Sequence, residues 1–575
     1  MSGAKVLFDR LVKHKVKHVF GYPGGAILPV LNQFYNQDKI QYIMVRTEAG
    51  GGFMAEGYAK ASKTQGVVMV TSGPGALNLT TSLQNALSDG NAILALTGQV
   101  STAVLGTDAF QEANVIGITQ SCTKWNTILM DGAKIESTID TAFSHMKHAR
   151  YGPVLLDLPK NIMSMECPKQ IPATQIVEKE EKKEVDCTVS YDEIHSLLLH
   201  ARRPLVLAGQ GIFQSDSVDL FREFVHTFQL PVTTTLLGLG CMNETDERSL
   251  KMLGMHGSFC ANMAIQNCDL LLNFGSRFDD RIIGDPTKFA PKAKIVHIDI
   301  LKKNINKTIP TKLYRNECCS EALSNLVQYS YDVDPYHTYS WWTQLHSWKK
   351  TKFTYPKQSV ALQGRHVLAK LNTLIHANKT HSYTIVSDVG AHQMWAAQFL
   401  DYDAPRVKFV TSGGLGTMGF ALPASIGVKL GAPHDRVICI CGDGGFQMTF
   451  QELLTAIDNH IHIKVIILNN SYQLMVKIWQ EKFYNNQTIG TKMKNPPFEL
   501  VCRALGCESL RIDSAEGLDL TLDYFLNYEG GPIVLNVITD QNESVLPMVS
   551  PGKALDDMIL EEDGSTKAFQ GDAPC

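Results

Sequence analysis

The chain has 575 residues, 44% apolar and 19% charged, which is enough for about three or four globular domains. Its formal net charge of −4 argues against a basic surface for nucleic acid. The sequence contains no run of about eighteen apolar residues, so no membrane span is predicted. Thirteen cysteines without C-x-x-C spacing predict reduced thiols rather than zinc ligands. The first residues form an amphipathic helical pattern without signal or transit features, so we expect a cytoplasmic protein.

Residues 1–165 alternate helices with short apolar strands, and each strand ends in small or polar residues. This pattern predicts a doubly wound parallel sheet with functional groups at the carboxyl ends of its strands. A charged stretch at 166–186 then predicts a solvated linker. The predicted strands are Val19–Phe20, Tyr42–Val45, Gly66–Val70, Ala92–Leu96 and Val154–Leu158.

A second α/β segment at 188–345 contains the apolar strands PLVLAGQG, LLLNFGS and KIVHIDI. A weakly patterned piece joins it to a third segment at 363–555, whose alternation of helix and strand is like that of the first. The sequence therefore predicts an α/β protein with three doubly wound parallel sheets, followed by an acidic tail at 556–575.

In the third segment, one apolar strand stops at Gly442-Asp443-Gly444 and the next ends in Asn469-Asn470, with a helical pattern between them. A βαβ unit would bring Asp443 and Asn470 to the same edge of the sheet. Their oxygens suit Mg²⁺ or Ca²⁺ that also binds a ligand's phosphate oxygens, and the glycines would let a diphosphate approach the backbone.

Gly-Asp-Gly followed after twenty-four residues by Asn-Asn resembles the diphosphate-binding motif of thiamine-diphosphate (ThDP) enzymes. GTDAFQE, together with GYPGGA, TSGPGA, SDVGAHQMWAAQ and TSGGLGTMGFALPA, resembles acetolactate (acetohydroxyacid) synthase over nearly the whole chain. The resemblance implies decarboxylation of pyruvate and transfer of the two-carbon unit to a second pyruvate or 2-ketobutyrate, in branched-chain amino acid biosynthesis. The three segments would bind the cofactor's pyrimidine, FAD and the cofactor's diphosphate with its metal, in that order.

The resemblance also assigns roles to residues around ThDP. Glu48 would hydrogen-bond N1′ of the aminopyrimidine and favour the tautomer that removes the thiazolium C2 proton. Gly24 and Gly25 would form a close turn near the reacting centre, and Met418, two residues after Gly416, would hold the cofactor bent. The metal ligands would be Asp443, Asn470 and the carbonyl oxygen of Tyr472.

Five further residues resemble family positions on the substrate side. Gln111 and Phe110 belong to GTDAFQE, and Lys160 would line the substrate approach. Arg281 would recognise the carboxylate of the second 2-ketoacid with its guanidinium group, and Trp479 would shape the pocket for that acceptor.

In biosynthetic members of the family, the central segment binds FAD, which is expected to be structural. No G-x-G-x-x-G is present, so FAD follows from the resemblance alone. The resemblance further implies a homodimer or homotetramer, because the cofactor lies between the first domain of one chain and the third of another. A small regulatory subunit is a typical partner. The flavin residues would be Gly254, His256, Gly257 and Asp299.

Two departures from the family affect expectations. Leu474 replaces a usual glycine after the asparagine pair, which should cost little only if its φ is negative. Ser101-Thr102-Ala103 replaces the usual Pro-Arg-Arg, and this change predicts weakened binding of sulfonylurea-type inhibitors.

Two other classes of function compete with this interpretation. The first is another ThDP enzyme, such as pyruvate oxidase, a 2-ketoacid decarboxylase or glyoxylate carboligase. A decarboxylase would have a His-His pair in the first segment, which is absent, and the carboligase lacks an equivalent of Glu48. The second is a regulatory homologue without catalysis, which the presence of Glu48, Asp443 and Asn470 disfavours.

Overall fold

The computed structural model describes residues 1–167, 185–330, 335–351 and 361–560. The predicted linker at 166–186 lies mostly outside these ranges, as does the tail beyond residue 560. Three six-stranded parallel sheets flanked by helices follow one another along the chain. This architecture confirms the predicted α/β class.

The first sheet contains all five strands predicted for it and one that was missed. The missed strand, Trp125–Ile128, is short and only half-buried, so it has no apolar pattern. The strands are β1 (His18–Gly21), β2 (Gln41–Met44), β3 (Gly66–Val70), β4 (Ile93–Gln99), β5 (Trp125–Ile128) and β6 (Val154–Pro159). The helices are α1 (Gly3–Lys13), α2 (Leu28–Leu31), α3 (Glu48–Ser62), α4 (Pro74–Leu77), α5 (Thr80–Asp89), α6 (Val115–Thr119), α7 (Ile135–Lys147) and α8 (Lys160–Ser164). The spatial order is β2-β1-β3-β4-β6-β5, so the chain changes direction across the sheet between β1 and β3.

The second sheet has a strand order found in dinucleotide-binding folds. Its strands are β7 (Pro204–Ala208), β8 (Val232–Thr234), β9 (Ser249–Met252), β10 (Leu270–Phe274), β11 (Lys294–Ile298) and β12 (Leu313–Arg315). Its helices are α9 (Tyr191–His200), α10 (Gly211–Gln214), α11 (Val218–Thr227), α12 (Phe259–Asn267), α13 (Asp280–Ile283), α14 (Cys319–Leu326) and α15 (Tyr339–Lys349). The order β12-β11-β10-β7-β8-β9 places the topological switch point between β7 and β10, where open α/β sheets bind ligands.

The third sheet repeats the strand order of the first. Its strands are β13 (Tyr383–Ser387), β14 (Val407–Thr411), β15 (Arg436–Gly442), β16 (Lys464–Asn469), β17 (Glu508–Ile512) and β18 (Ile533–Ile538), in the order β14-β13-β15-β16-β18-β17. Its helices are α16 (Gly364–Ala377), α17 (Ala391–Phe399), α18 (Ala421–Gly431), α19 (Asp443–Thr449), α20 (Leu453–Asp458), α21 (Leu474–Phe483), α22 (Phe498–Ala504) and α23 (Leu518–Asn527). A short antiparallel pair, β19 (Met548–Val549) and β20 (Met558–Ile559), packs against the core of the second segment.

Helices α3 and α18 pack closely and join the first and third segments. A Cβ on Gly57 would collide with the carbonyl oxygen of Ala424, and a Cβ on Gly427 would collide with that of Met54. The close approach therefore requires glycine on both helices. Phe53 and other apolar residues of both segments form one continuous core around this contact.

No helix in the described ranges is long and apolar enough to span a bilayer. The twelve cysteines in those ranges are all free thiols, in agreement with the predicted reduced state. Most of them are buried, and burial raises the pKa of a thiol such as Cys241 to about 12. Burial therefore favours the protonated form of the Cys241 thiol at neutral pH.

Candidate active site

Asp443 and Asn470 lie at the carboxyl ends of the neighbouring strands β15 and β16. The Asp443 side chain is buried, and its Oδ2 accepts hydrogen bonds from the Ser471 N–H at 2.8 Å and from Asn495 Nδ2 at 2.6 Å. Burial raises the pKa of Asp443 to about 6, and these hydrogen bonds limit the rise. The carboxylate is thus held in one orientation at the predicted metal position.

The donor set at this edge suits a hard cation that shares ligands with a phosphate group. Asn470 is buried, and its Oδ1 accepts the N–H of Tyr472 at 3.0 Å. In the described residues no group of three or more His, Cys, Asp or Glu could hold a metal ion alone. One carboxylate, one carboxamide and one carbonyl oxygen are too few for octahedral Mg²⁺, so the site fits a cation completed by a diphosphate.

His392 of α17 lies against the Gly-Asp-Gly turn, although the sequence analysis assigned it no role. A Cβ on Gly442 would lie 3.0 Å from the His392 ring, so glycine is needed beside the imidazole. Burial lowers the pKa of His392 to about 3, and its Nε2 has no hydrogen-bond partner among the described residues. A buried polar atom of this kind, next to a turn whose Gly444 also lacks room for a side chain, fits a polar ligand.

The segment that carries Met418 is held from two sides. The buried Asp388 carboxylate accepts the N–H of Gly419 at 3.0 Å, and burial raises the pKa of Asp388 to about 7. Thr417 donates its hydroxyl to Asn85 Oδ1 of α5 at 3.0 Å. Met418 itself is half-buried, so its side chain is supported by a fixed backbone.

Glu48 is the first residue of α3 and belongs to a second cluster, at the edge of the first sheet. Its carboxylate accepts a hydrogen bond from Asn78 Nδ2 at 3.0 Å. Its Oε1 lies 3.4 Å from the place of a Cβ on Gly75, and a Cβ on Gly24 would collide with Thr71. The Thr71 hydroxyl is buried without a partner in the described structure. The crowded glycines Gly24 and Gly75 and the unpaired Thr71 hydroxyl lie at the switch point between β1 and β3, and together they fit a bound ring system.

The GTDAFQE loop is held together by hydrogen bonds to its own glutamate, Glu112. The Glu112 carboxylate accepts the N–H groups of Gly106 at 2.5 Å and Ala109 at 3.0 Å, and these bonds lower the pKa of Glu112. Gln111 has a φ of +60°, which is uncommon for a residue other than glycine. Phe110 is 88% exposed. A strained backbone and an exposed aromatic ring are typical of a binding loop.

Lys160 is exposed and begins α8 directly after β6. Its neighbour Asn161 exchanges two hydrogen bonds with Thr102, at 3.0 and 2.8 Å. The 101–103 departure from the family therefore lies beside the predicted substrate lysine. Gly25 lies in the turn after β1, and the space where its side chain would be is open.

A cavity of about 340 Å³ opens at the switch point between β7 and β10. Its lining residues include Gly211 after β7, Ser276 after β10 and Asp299 after β11. Ser276 Oγ and His256 Nδ1 are buried there without partners among the described residues. Strand order, cavity and unpaired polar atoms fit a dinucleotide.

Two of the glycines assigned to the flavin have a local structural role. Gly254 has a φ of +110°, and a Cβ there would collide with the carbonyl oxygen of Arg281. A Cβ on Gly257 would collide with the backbone of Leu253. Both glycines shape a turn, while His256 between them lines the cavity.

Arg281 and Trp479 both line the same cavity, as does Gly416, and both also line a second pocket. Arg281 comes from the second segment, and its side chain is 63% exposed. Trp479 comes from α21 and packs against the buried Leu546 and Met548. The structure thus brings the two predicted acceptor residues to one wall.

Glu48, Gln111 and Lys160 do not line this cavity in the described part of the chain. They lie at the edge of the first sheet, whereas Asp443 and Asn470 lie at the edge of the third. Asp443 and Asn470 are absent from the described residues that line it as well. The predicted residues of the first and third segments therefore lie at the edges of two different sheets, outside this cavity.

Leu474 is the first residue of α21, and its φ is not positive. Its side chain is buried in the core around β16. The departure from glycine therefore costs little, as the sequence analysis expected for a negative φ.

Family models match three parts of the chain. Residues 1–118 match "Thiamine pyrophosphate enzyme, N-terminal TPP binding domain", 191–326 match the central domain, and 388–537 match the C-terminal TPP binding domain. The fold and the site thus define a ThDP-dependent enzyme.

Full-length relatives narrow this class. A protein from Schizosaccharomyces pombe named "Acetolactate synthase, mitochondrial" is 41% identical over 98% of this chain and 86% of its own length. The catalytic subunit from Saccharomyces cerevisiae is 40% identical over 97% and 84%, and the large subunit from Lactococcus lactis is 38% identical over 97% and 96%. The chain belongs to the acetolactate synthase family.

These relatives correct one expectation from the sequence. The proteins from Schizosaccharomyces pombe and Saccharomyces cerevisiae are both named mitochondrial, so the expectation of a cytoplasmic location is wrong. That expectation rested on the pattern of the first residues, and such a pattern does not decide the compartment.

Proposed function

We propose that this chain is the catalytic subunit of an acetolactate synthase. It would decarboxylate pyruvate and join the remaining two-carbon unit to a second pyruvate or to 2-ketobutyrate, at the start of branched-chain amino acid biosynthesis. The observation that carries the proposal is the buried pair Asp443 and Asn470 at adjacent strand ends. When bound, ThDP supplies the nucleophilic thiazolium C2 for addition to the ketone of pyruvate and the positively charged ring that accepts the electron pair left by the departing CO₂.

Glu48 is the carboxylate that would hydrogen-bond the aminopyrimidine of the cofactor. Asn78 donates to this carboxylate at 3.0 Å, which restrains its direction. Gly24 and Gly25 provide a turn that a ring can approach, and Gln111 and Lys160 would orient the substrate from the same sheet edge. Glu48 would fix the position of the proton on the aminopyrimidine, and the other groups would fix the direction from which the substrate approaches.

The diphosphate and Mg²⁺ would be held at the edge of the third sheet. Asp443, Asn470 and the carbonyl oxygen of Tyr472 are the protein's oxygen ligands, and the diphosphate would complete the coordination. Met418 would support the bent cofactor from a segment that Asp388 fixes through the N–H of Gly419.

Arg281 and Trp479 would select the acceptor. A guanidinium group can bind a carboxylate through two parallel N–H donors, so Arg281 would fix the acceptor by its carboxylate. The indole of Trp479 would limit the space for the acceptor's alkyl group. The position of both residues on one cavity wall supports this assignment.

FAD would fill the cavity of the second segment as a structural group. The strand order, the switch-point location and the unpaired atoms of Ser276 and His256 support a dinucleotide at this place. Arg281 and Trp479 also line this cavity, so FAD bound in it would support the two residues proposed to select the acceptor.

The active assembly would be a homodimer or homotetramer in mitochondria, in which each cofactor lies between two chains. Glu48 lies at the edge of the first sheet and Asp443 at the edge of the third, an arrangement that lets each of two chains supply one half of a site. Some relatives are named catalytic or large subunits, and a small regulatory subunit is the corresponding partner that we propose.

Acetolactate formation by the purified chain tests the proposal. We expect pyruvate to yield acetolactate only when ThDP and Mg²⁺ are present, and FAD to raise the active fraction. Glu48→Gln should lower the rate by about 100-fold or more, since proton transfer contributes about this much. Free acetaldehyde as the main product, or flavin reduced in step with pyruvate, would assign the chain to the decarboxylases or oxidases instead.

A further inference from the structure

Glu452 is a buried carboxylate of the third segment that lies against the residues preceding Glu48. Its side chain is fully buried, between α19 and α20 in the sequence. Glu452 Oε1 accepts the N–H of Thr47 at 2.8 Å, and both of its oxygens accept the N–H of Arg46, at 3.2 and 3.1 Å. Two backbone donors of the first segment are thus satisfied by one carboxylate about 400 residues away.

The Thr47 hydroxyl extends this contact into helix α3. It donates to Glu452 Oε1 at 3.0 Å and accepts the N–H of Gly50 at 3.1 Å as the N-cap of the helix. A Cβ on Gly50 would collide with the Glu452 carboxylate, so glycine makes room for it. Glu48 lies between these two anchored positions, and its backbone has little freedom.

The surroundings of Glu452 keep its carboxylate in one place. Thr455 donates its hydroxyl to Glu452 Oε2 at 2.8 Å. Arg46 contacts Glu452 through its backbone N–H, while its guanidinium group is paired with Asp458 of the same third segment. Burial raises the pKa of Glu452, while the hydrogen bonds from Thr455, Arg46 and Thr47 oppose the rise.

A carboxylate at a helix N-terminus is often only a structural cap, and the chain contains such a case. The buried Glu543 accepts the N–H groups of Gly364 at 2.6 Å and Arg365 at 3.1 Å, at the start of α16. Glu452 differs because the helix that it anchors begins with Glu48. The two glutamates therefore form a matched pair for experiment.

We propose that Glu452 is a positioning residue for Glu48: it anchors the Arg46–Thr47 backbone so that the Glu48 carboxylate keeps one direction toward the cofactor's pyrimidine ring. The inference rests on the proposed role of Glu48. It adds that the third segment, which carries the proposed metal ligands, also orients the Glu48 carboxylate of the same chain.

The first experiment uses Glu452→Ala and Glu452→Gln in the full-length holoenzyme. Exchange of the thiazolium C2 proton with deuterium, measured by acid quench and NMR, should be about 10–100-fold slower in Glu452→Ala. Glu452→Gln keeps one acceptor oxygen and should be slowed less. Binding of ThDP and Mg²⁺, followed by fluorescence titration, should change by less than about threefold, because the metal ligands are unaltered.

The second experiment needs no cofactor. Amide hydrogen exchange of a peptide covering residues 44–50, measured by mass spectrometry, should be faster in Glu452→Ala, because the donors of Arg46 and Thr47 lose their acceptor, and faster by less in Glu452→Gln, which keeps one acceptor oxygen. Wild-type protection in Glu452→Ala would show that the carboxylate does not anchor this backbone, and the inference would be overturned.

Glu543→Gln is the matched control, since it removes the same kind of cap from a helix without Glu48. It should lower thermal stability but leave C2 exchange at the wild-type rate. Equal slowing in Glu543→Gln and Glu452→Gln would reduce Glu452 to a structural cap. Glu48→Gln separates the two proposals: if it does not slow exchange, the proposed function fails, and if it alone slows exchange, only the positioning role fails.

Discussion

At the scale of single residues, the candidate metal ligand Asp443 is oriented by hydrogen bonds from neighbouring residues. Asn495 is the clearest case, because its Nδ2 donates both to Asp443 Oδ2 at 2.6 Å and to Asn469 Oδ1 at 2.8 Å. The bond to Asn469 fixes the carboxamide of Asn495, and the bond to Asp443 then fixes the Asp443 carboxylate. Such outer partners influence metal affinity strongly.

We predict that Asn495→Ala weakens Mg²⁺ binding about 10-fold, because the Asp443 carboxylate loses one of the donors that orient it. The measurement is a Mg²⁺ titration of ThDP binding at saturating ThDP. Asn527→Ala, which changes an exposed asparagine of the same segment, should keep the wild-type affinity. Equal affinities in Asn495→Ala and the wild type would show that the other donors are sufficient.

Ser101 occupies a position where the family usually has proline, and its φ of −58° is one that proline adopts. We predict that Ser101→Pro folds with an unchanged or slightly higher thermal midpoint and binds a sulfonylurea inhibitor more tightly. The inhibition constant and the melting temperature check the two parts. Ser101→Ala tests whether loss of the hydroxyl alone has this effect, and a gain equal to that of proline would contradict the backbone argument.

At the scale of elements, α3 carries a buried acid as well as Glu48. Glu56 accepts hydrogen bonds from Asn85 at 3.0 and 3.1 Å and from Asn91 at 2.7 Å. Burial, and to a lesser extent the nearby Asp89, raise the pKa of Glu56 from 4.5 to about 8. The folded state therefore binds this proton more tightly than the unfolded chain does.

It follows that Glu56 contributes stability at low pH, and that this contribution is lost as the pH rises through about 8. We predict that the thermal midpoint of the wild type falls relative to that of Glu56→Gln between pH 5.5 and pH 9. Glu499→Gln is the control, because the pKa of Glu499 is lowered and the group stays ionised over this range. A midpoint difference that does not depend on pH would contradict the prediction.

The elements also show what could be predicted from the sequence and what could not. Strands with continuous apolar runs and motifs contiguous along the chain, such as Gly442-Asp443-Gly444, were predictable because their signal is local. The short strands β5, β8, β9 and β12 have no such run. The helix expected after Asp443 is interrupted by a 3-10 turn at Phe450–Glu452. Glu452 reaches Thr47 only through the fold, so no spacing in the sequence could reveal the contact.

At the scale of the whole molecule, the two groups of site residues lie at the edges of different sheets, the first and the third. Large apolar side chains are exposed near each group, with Phe110 88% exposed in the first segment and Met448 54% exposed in the third. Burial of such side chains favours association. A second copy of the chain would cover them and bring Glu48 of one copy toward Asp443 of the other.

Complementation between inactive variants tests this arrangement. Glu48→Gln and Asp443→Ala should each be inactive alone. If each site takes its first half from one chain and its third-segment half from the other, a mixed dimer contains one intact site and one doubly defective site. After random exchange of subunits, the mixture should therefore regain on the order of a quarter of wild-type acetolactate formation.

The control pairs Glu48→Gln with Gln111→Ala, two changes on the same sheet edge. Every site in that mixture contains one defective first half, so no activity should return. Recovery in the first mixture and none in the second would require sites shared between chains. If neither mixture recovers after subunit exchange has been verified by mass spectrometry, Glu48 and Asp443 of one chain must serve the same site.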